Sequence, residues 1–88
     1  MEKRIGTITI LIKGSASIQA INALLTEYSS IVLARQGLPI RNRDIHVISL
    51  IIEGTTEIIS ALTGKIGRLK NVEVKSILTK YTEEENHE

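Results

Sequence analysis

The segment Asp44–Gly54 constrains the fold more than any other stretch of the sequence. Between Ile45 and Ile52 every residue is aliphatic except His46 and Ser49. A strand with one solvent face alternates apolar and polar residues, so this run predicts a strand that is covered on both faces. Such a strand belongs in the centre of a sheet. Its two faces would carry His46, Ile48, Leu50 and Ile52 on one side and Ile45, Val47, Ser49 and Ile51 on the other.

The chain has 88 residues, enough for one small domain. It contains sixteen isoleucines and no phenylalanine or tryptophan, so the core must be aliphatic. We predict a single domain over residues 1–81 and a disordered acidic tail over residues 82–88. A domain of this size buries only about two-thirds of its unfolded surface, and a second subunit often adds the missing stability.

The composition excludes several classes of site and partner. The sequence has no cysteine, which rules out disulfides, thiolate metal sites, iron–sulfur clusters and a cysteine nucleophile. Its formal net charge of +1 gives no electrostatic basis for nucleic acid or an anionic membrane as the main partner. No apolar run approaches the roughly 20 residues that span a bilayer.

The N-terminus has the outline of a secretory signal. Lys3 and Arg4 precede an apolar run from Ile5 to Ile12. That run is short for a signal and contains two threonines, and its removal would delete a strand that the fold needs. We therefore expect a cytoplasmic protein.

Periodicity predicts the elements around the central strand. Alternating apolar residues predict strands over Arg4–Ile12, Ile31–Gln36 and Val72–Leu78. Apolar residues at helical spacing predict amphipathic helices over Ile18–Tyr28 and Ile58–Leu69. The order is therefore strand–helix–strand–strand–helix–strand.

Polar residues mark the ends of these elements. Ser15 or Ser17 is suited to cap the first helix, and Thr55 or Thr56 the second. We predict that Gly37–Arg43 forms a hairpin connection longer than a tight turn.

This order predicts an α+β, ferredoxin-like βαββαβ sandwich. Its four-stranded antiparallel sheet would have the order 4-1-3-2, with both helices on one face. The other face would be bare in a monomer and would expose Ile5, Leu11 and one apolar row of the third strand. A bare apolar face usually marks a protein interface, so we expect a homo-oligomer, a dimer or tetramer, that assembles through it.

Several functions of this fold lack their residues in the sequence. RNA-recognition modules stack bases on aromatic residues of the central strands, and these strands have none. Metal chaperones need a C-x-x-C motif, which a sequence without cysteine cannot supply. Acylphosphatase-like enzymes need a phosphate-cradling loop with an arginine after the first strand, and this sequence has no such loop. No nucleophile–base pair or pair of carboxylates lies in a predicted pocket. We find no catalytic set.

His46 and three arginines are the remaining candidates. His46 is interpreted either as a metal ligand or pH switch, or as a histidine at a sheet edge or interface. Arg35, Arg41 and Arg43 either keep a hairpin soluble or contact another subunit or an anion. If Arg35 and Arg43 pair across the hairpin, their repulsion favours something negative between them.

Several motifs of this sequence occur together in one known family. They are R-Q-G-L-P at Arg35–Pro39, V-I-S-L-I-I-E-G-T-T at Val47–Thr56, L-T-G-K-I-G-R-L at Leu62–Leu69 and V-E-V-K-S at Val72–Ser76, with Arg43 between the first two. Through them the chain resembles, up to about Lys80, the small prokaryotic regulators of the iron-only hydrogenase system. Lys70-Asn71 replaces the Pro-Gly expected before the last strand.

The resemblance implies an ACT-like domain, similar to the C-terminal domain of nickel-responsive regulators, with an oligomeric regulatory or sensing role. Nickel-responsive regulators bind metal through several histidines and a cysteine, whereas the strands here offer His46 alone. They also carry a separate DNA-binding segment, for which this chain has no residues. We therefore predict no metal, no cofactor and no direct nucleic-acid contact. ACT domains bind amino acids near the turn after the first strand, which here holds Gly14 and Ser15.

Together these arguments predict a non-enzymatic regulatory module that senses a small anion or an amino acid. The alternative is a structural accessory subunit that docks on another protein and has no ligand of its own. The candidate ligand or interface residues are Gly14, Ser15, Arg35, Gly37, Pro39, Arg41, Arg43 and His46.

Overall fold

A computed structural model describes residues 2–82 of the chain. Its elements, in order, are strand β1 (Arg4–Lys13), helix α1 (Ile18–Glu27), a 3₁₀ turn (Ser29–Ile31), strand β2 (Val32–Ile40), strand β3 (Ile45–Gly54), helix α2 (Thr56–Gly67) and strand β4 (Val72–Thr82). The predicted tail begins one residue too early, because Thr82 still belongs to β4. Residues 83–88 of that tail lie outside the described residues.

The four strands form one antiparallel sheet in the order β2-β3-β1-β4. This is the predicted order 4-1-3-2 read from the other edge, so the ferredoxin-like βαββαβ fold is confirmed. The two isoleucine-rich strands are central, and Ile8 pairs with Leu50 and Ile10 with Ile48. Within residues 2–82, neither helix is long and apolar enough to cross a bilayer.

The core lies between one sheet face and the two helices. Each fully buried Leu or Ile side chain contributes about 1.5–3 kcal/mol to stability. The buried aliphatic residues are Ile8, Ile10 and Ile12 of β1, Ile48, Leu50 and Ile52 of β3, Ile21 and Leu25 of α1, Ile59, Leu62 and Ile66 of α2, and Ile31 of the 3₁₀ turn.

Within residues 2–82, no helix covers the opposite side of the sheet, here called the open sheet face. This face of β3 is therefore bare in the single chain, as predicted for a monomer: Ile51 is 44% exposed. The register aligns alternate residues of the four strands on this face, namely Ala34, Gln36, Leu38 and Ile40 of β2, Ile45, Val47, Ser49 and Ile51 of β3, Ile5, Thr7, Thr9 and Leu11 of β1, and Glu73, Lys75 and Ile77 of β4.

The connection between β2 and β3 is shorter than predicted. Strand β2 continues through Gly37 and Pro39 to Ile40, so the loop is confined to residues 41–44. Proline cannot donate to a strand ladder, but an edge strand such as β2 accommodates it where the missing N–H faces solvent. The turn is closed by the Arg43 N–H, which donates to the Ile40 carbonyl at 3.2 Å, and Asp44 adopts a left-handed φ of 54°.

The two helices begin in different ways. Thr55 caps α2, since its side-chain oxygen accepts from the Ile58 N–H at 3.2 Å. Ser17 occupies the cap position of α1 but makes no side-chain cap hydrogen bond. Its hydroxyl instead donates to the Lys70 carbonyl at 2.7 Å, which links the start of α1 to the segment before β4.

Candidate functional site

A cleft lies on the helix side of the sheet, between α1 and the adjoining parts of β2 and β3. We call it the α1 cleft, and its volume is about 200 Å³. Among residues 2–82, its lining consists of apolar residues, one cation, one histidine and one amide, with no serine, threonine, aspartate, glutamate or lysine. The lining residues are Ile12, Ile18, Asn22, Arg35, Gly37, Leu38, Pro39, His46, Val47 and Ile48.

Arg35 supplies the positive charge of the cleft. It lies on edge strand β2, and its Nη2 donates to the Asn22 Oδ1 of α1 at 2.8 Å. No carboxylate oxygen among residues 2–82 lies within ion-pair distance of the guanidinium. Because a guanidinium has five N–H donors, most of this hydrogen-bonding capacity remains available.

Arg35 does not pair with Arg43, so the condition for repulsion across the hairpin is not met. Arg35 lies opposite Leu50, while Arg43 lies in the exposed turn beyond the end of β2. The reason is that β2 runs four residues further than expected, which moves the turn away from Arg35.

His46 is a half-buried residue at the start of β3. It faces the same sheet side as Ile12, with which it pairs, and on its other side it lies opposite Pro39. Its Nδ1 is buried and has no hydrogen-bond partner in the described part of the chain. Within residues 2–82 there is no cluster of three or more His, Asp or Glu side chains suited to hold a metal.

Gly37 leaves space in the wall of the cleft. A Cβ added there would meet no atom within 4 Å. Since alternate strand residues share a face, a side chain at this position would extend on the same side as those of Arg35 and Pro39.

The other four predicted site residues lie outside the cleft. Gly14 has a left-handed φ of 76°, and its N–H donates to the Asp44 carbonyl at 2.8 Å, so its role is in the turn. Ser15 is exposed, and its carbonyl accepts from the Ile18 N–H at 3.3 Å. Arg41 and Arg43 are exposed in the β2–β3 turn. The structure thus brings together Arg35, Gly37, Pro39 and His46 only.

Sequence reasoning missed Asn22. It lies on α1 one turn after Ile18, and the two side chains share the helix face that borders the cleft. Asparagine in a helix is ordinarily a solvent-facing residue, so only the docking of α1 beside β2 reveals it as the partner of Arg35.

A second depression lies on the open sheet face. Its volume is about 260 Å³, and it is lined by Ala34, Arg35, Gln36, Ser49 and Ile51. Arg35 therefore belongs to the linings of both concavities, one on each side of the sheet.

The comparison with protein families agrees with this architecture. The family described as "TM1266-like: Iron-only hydrogenase system regulator, putative" matches residues 4–76. The chain belongs to this family. Protein TM1266 from Thermotoga maritima is 32% identical to this family member, with a TM-score of 0.87, and the match covers 90% of this chain and 100% of that one.

Two other solved structures are more distant from this regulator-family chain. One is the apo form of CPII from Thiomonas intermedia K12, a nitrogen regulatory PII-like protein, with 17% identity, a TM-score of 0.49, and coverage of 86% of this chain and 91% of that one. The other is a dimeric ferredoxin-like protein from an uncultured marine organism, with 10% identity, a TM-score of 0.48, and coverage of 92% and 98%. No curated protein matches the sequence.

Proposed function

We propose that this chain is a small homo-oligomeric regulatory module that senses a small molecule and acts by binding rather than by catalysis. Membership of a family described as regulators of the iron-only hydrogenase system supports the regulatory part. The observation that carries the assembly part is the open sheet face, which residues 2–82 leave uncovered.

The open sheet face has the composition of an interface. Ile77 is 70% exposed, Leu38 61% and Ile51 44%. These residues lie on β4, β2 and β3, with the polar row Gln36, Ser49, Thr9 and Lys75 between Leu38 and the other two. Large apolar side chains exposed together on one sheet face, among polar ones, are typical of a protein interface.

A second copy of this chain fits the face in size. Four strands of about nine residues measure roughly 30 by 19 Å, or about 600 Å² on each side. Two such faces together approach the lower end of stable interfaces, at about 1,200 Å². Glu73 and Lys75 carry opposite charges on this face, which lets two copies related by a two-fold axis pair them.

The edge strand β2 is a poorer site of assembly. Pro39 lacks the N–H that a ladder with another strand would need at its position. A two-fold pairing of β2 centred near Arg35 would place two like charges opposite each other. Assembly by face-to-face packing of sheets avoids both problems.

Arg35 offers a physical route from ligand to assembly. It lines both the α1 cleft and the depression on the open sheet face. Its side chain lies on the helix side of the sheet, so a ligand that competes with Asn22 for the guanidinium would act on the open sheet face through the β2 backbone at Arg35. Coupling of this kind requires only that the ligand bind more tightly to one arrangement of the Arg35 side chain than to another.

The composition of the cleft favours binding over catalysis. Its ionisable side chains are Arg35 and His46, and its lining has no hydroxyl, thiol, amine or carboxylate to act as nucleophile. Covalent catalysis needs a nucleophile beside a base.

The structural accessory subunit remains the alternative, because the open sheet face also suits another protein. A ligand screen by thermal shift separates the two, because a ligand bound only by the native state raises its stability, and sedimentation velocity at micromolar concentration tests the assembly. We expect a dimer or tetramer of the 9.7 kDa chain. A monomer at every concentration would contradict the proposal and favour the accessory role.

A further inference from the structure

We propose that the α1 cleft binds a small organic monocarboxylate that carries no ammonium group. The carboxylate would lie against Arg35 and the hydrocarbon part against the isoleucines of the cleft. This inference rests on the proposed function, since it names the ligand class that the module would sense.

Arg35 selects for a carboxylate. Its guanidinium has Asn22 as its hydrogen-bond partner and no carboxylate of the described chain at ion-pair distance. The planar fork of arginine matches the two oxygens of a carboxylate, and such charge-assisted pairs are among the strongest polar contacts. The unpaired charge at the cleft therefore complements an organic acid.

The cleft does not suit the ammonium group of a free amino acid. Among residues 2–82, no aspartate or glutamate lines the cleft, and the amide oxygen of Asn22 already accepts from Arg35. An ammonium group there would meet the like charge of Arg35 and no counter-charge. A plain carboxylate is thus favoured over the amino acid of the same skeleton.

The apolar part of the lining determines which hydrocarbon group of the ligand fits beside the carboxylate. Ile12 and Ile48 are buried core residues, and Ile18 lies on the helix side of the cleft. The volume of about 200 Å³ is similar to that of protein cavities of about 150 Å³ that bind benzene. That is room for a short aliphatic chain beside the carboxylate.

His46 adds a second polar group of the correct kind. Its buried Nδ1 has no hydrogen-bond partner in residues 2–82. The other ring nitrogen, Nε2, can donate a hydrogen bond to a ligand in the cleft. A carboxylate is an acceptor on all its lone pairs, which makes it the matching partner.

Three matched probes test the inference on the full chain. They are 4-methylpentanoate, leucine, which has the same skeleton with an ammonium group, and 4-methylpentanamide, which lacks the charge. Isothermal titration should show saturable binding of 4-methylpentanoate, and binding of the other two at least about tenfold weaker. Equal binding of leucine, or no binding of 4-methylpentanoate in the millimolar range, would overturn the inference. Competition by sulfate as strong as by 4-methylpentanoate would do so too, because it would show a general anion site.

Three variants locate the site. Gly37→Val fills the open space in the cleft wall with a good strand former and should abolish binding while the circular dichroism spectrum is unchanged. Arg35→Gln should weaken binding by about tenfold or more, since it removes a charge-assisted hydrogen bond. Arg43→Gln, at an exposed turn position outside the cleft, is the matched control and should bind as the parent does. Binding that survives Gly37→Val would contradict the assignment.

Sedimentation of the same samples separates this inference from the proposed function. An assembled parent that fails to bind 4-methylpentanoate contradicts the ligand class alone. A monomeric parent contradicts the proposed assembly whatever the titration shows.

Discussion

Pro39 lies directly opposite His46 in the register of β2 and β3. Pro39 belongs to an edge strand and His46 to a central strand, and both line the α1 cleft. The pairing exists because β2 continues past Gly37 instead of turning there. The extension of an edge strand thus forms one wall of the candidate site.

The first prediction concerns the open sheet face. Ile51→Lys places a charge in the centre of that face, where an assembled protein would have to bury it, and should convert the assembly to monomer. Ile58→Lys is the matched control, because Ile58 is 41% exposed against 44% for Ile51 but lies on α2, on the other side of the sheet. Sedimentation velocity measures both. Dissociation by both variants or by neither would contradict the assignment of the interface.

The second prediction compares two strand glycines. A Cβ on Gly6 would lie 2.5 Å from the Ile77 carbonyl oxygen and 2.6 Å from a Leu78 methyl group. Gly6→Ala should therefore destabilise the protein by about 1–3 kcal/mol, the usual cost of overpacking. Gly37→Ala meets no atom within 4 Å and should be neutral or stabilising by up to about 1 kcal/mol.

Thermal and urea melts of these two variants, at one protein concentration, provide the measurement. Equal stability of Gly6→Ala and the parent would show that β1 and β4 approach less closely at Gly6 than the structure describes.

The third prediction concerns pH and the contact between the helices. Lys65 Nζ lies 3.5 Å from Glu27 Oε2 and 5.0 Å from the centre of the Tyr28 ring. The hydrogen bond with the Tyr28 side chain, and after it the charge of Glu27, raise the pKa of Lys65 above its ordinary value of 10.5. A raised lysine pKa stabilises the folded state fully below the unfolded pKa, and this stabilisation is lost as pH rises through the folded pKa.

Lys65→Met should therefore be less stable than the parent at neutral pH, and the difference should shrink above about pH 10.5. Because the group is exposed, we expect a small effect that decreases with salt. Urea melts of both proteins from neutral to alkaline pH measure it. A difference that grows with pH would contradict the assignment.

Much of the fold follows from periodicity. The alternation of β1 and the run in β3 place Ile8, Ile10, Leu50 and Ile52 on one face, and the helical spacing of α1 and α2 supplies its cover. These patterns depend on many residues at once, so one unusual residue does not obscure them. The element order then leaves few topologies that obey the handedness of crossovers.

The candidate site was predictable only in part. Arg35, Gly37, Pro39 and His46 stand out in the sequence, but Gly and Pro are typical of turns, and their place in an edge strand follows only from the sheet topology. Asn22 and the cleft itself depend on how α1 docks beside β2. That docking is a property of side-chain packing between elements distant in sequence, which local pattern does not contain.

The most direct test of assembly through the open sheet face is a distance between two copies measured without altering that face. The sequence has no cysteine, so Ser60→Cys on the exposed side of α2 accepts a single spin label. With the two sheets packed face to face and the helices outside, layers of about 10 Å predict a separation of roughly 30 Å or more by double electron–electron resonance. A separation well below 20 Å would mean that the helices form the interface, and the absence of any dipolar modulation would mean a monomer; either result would contradict the account.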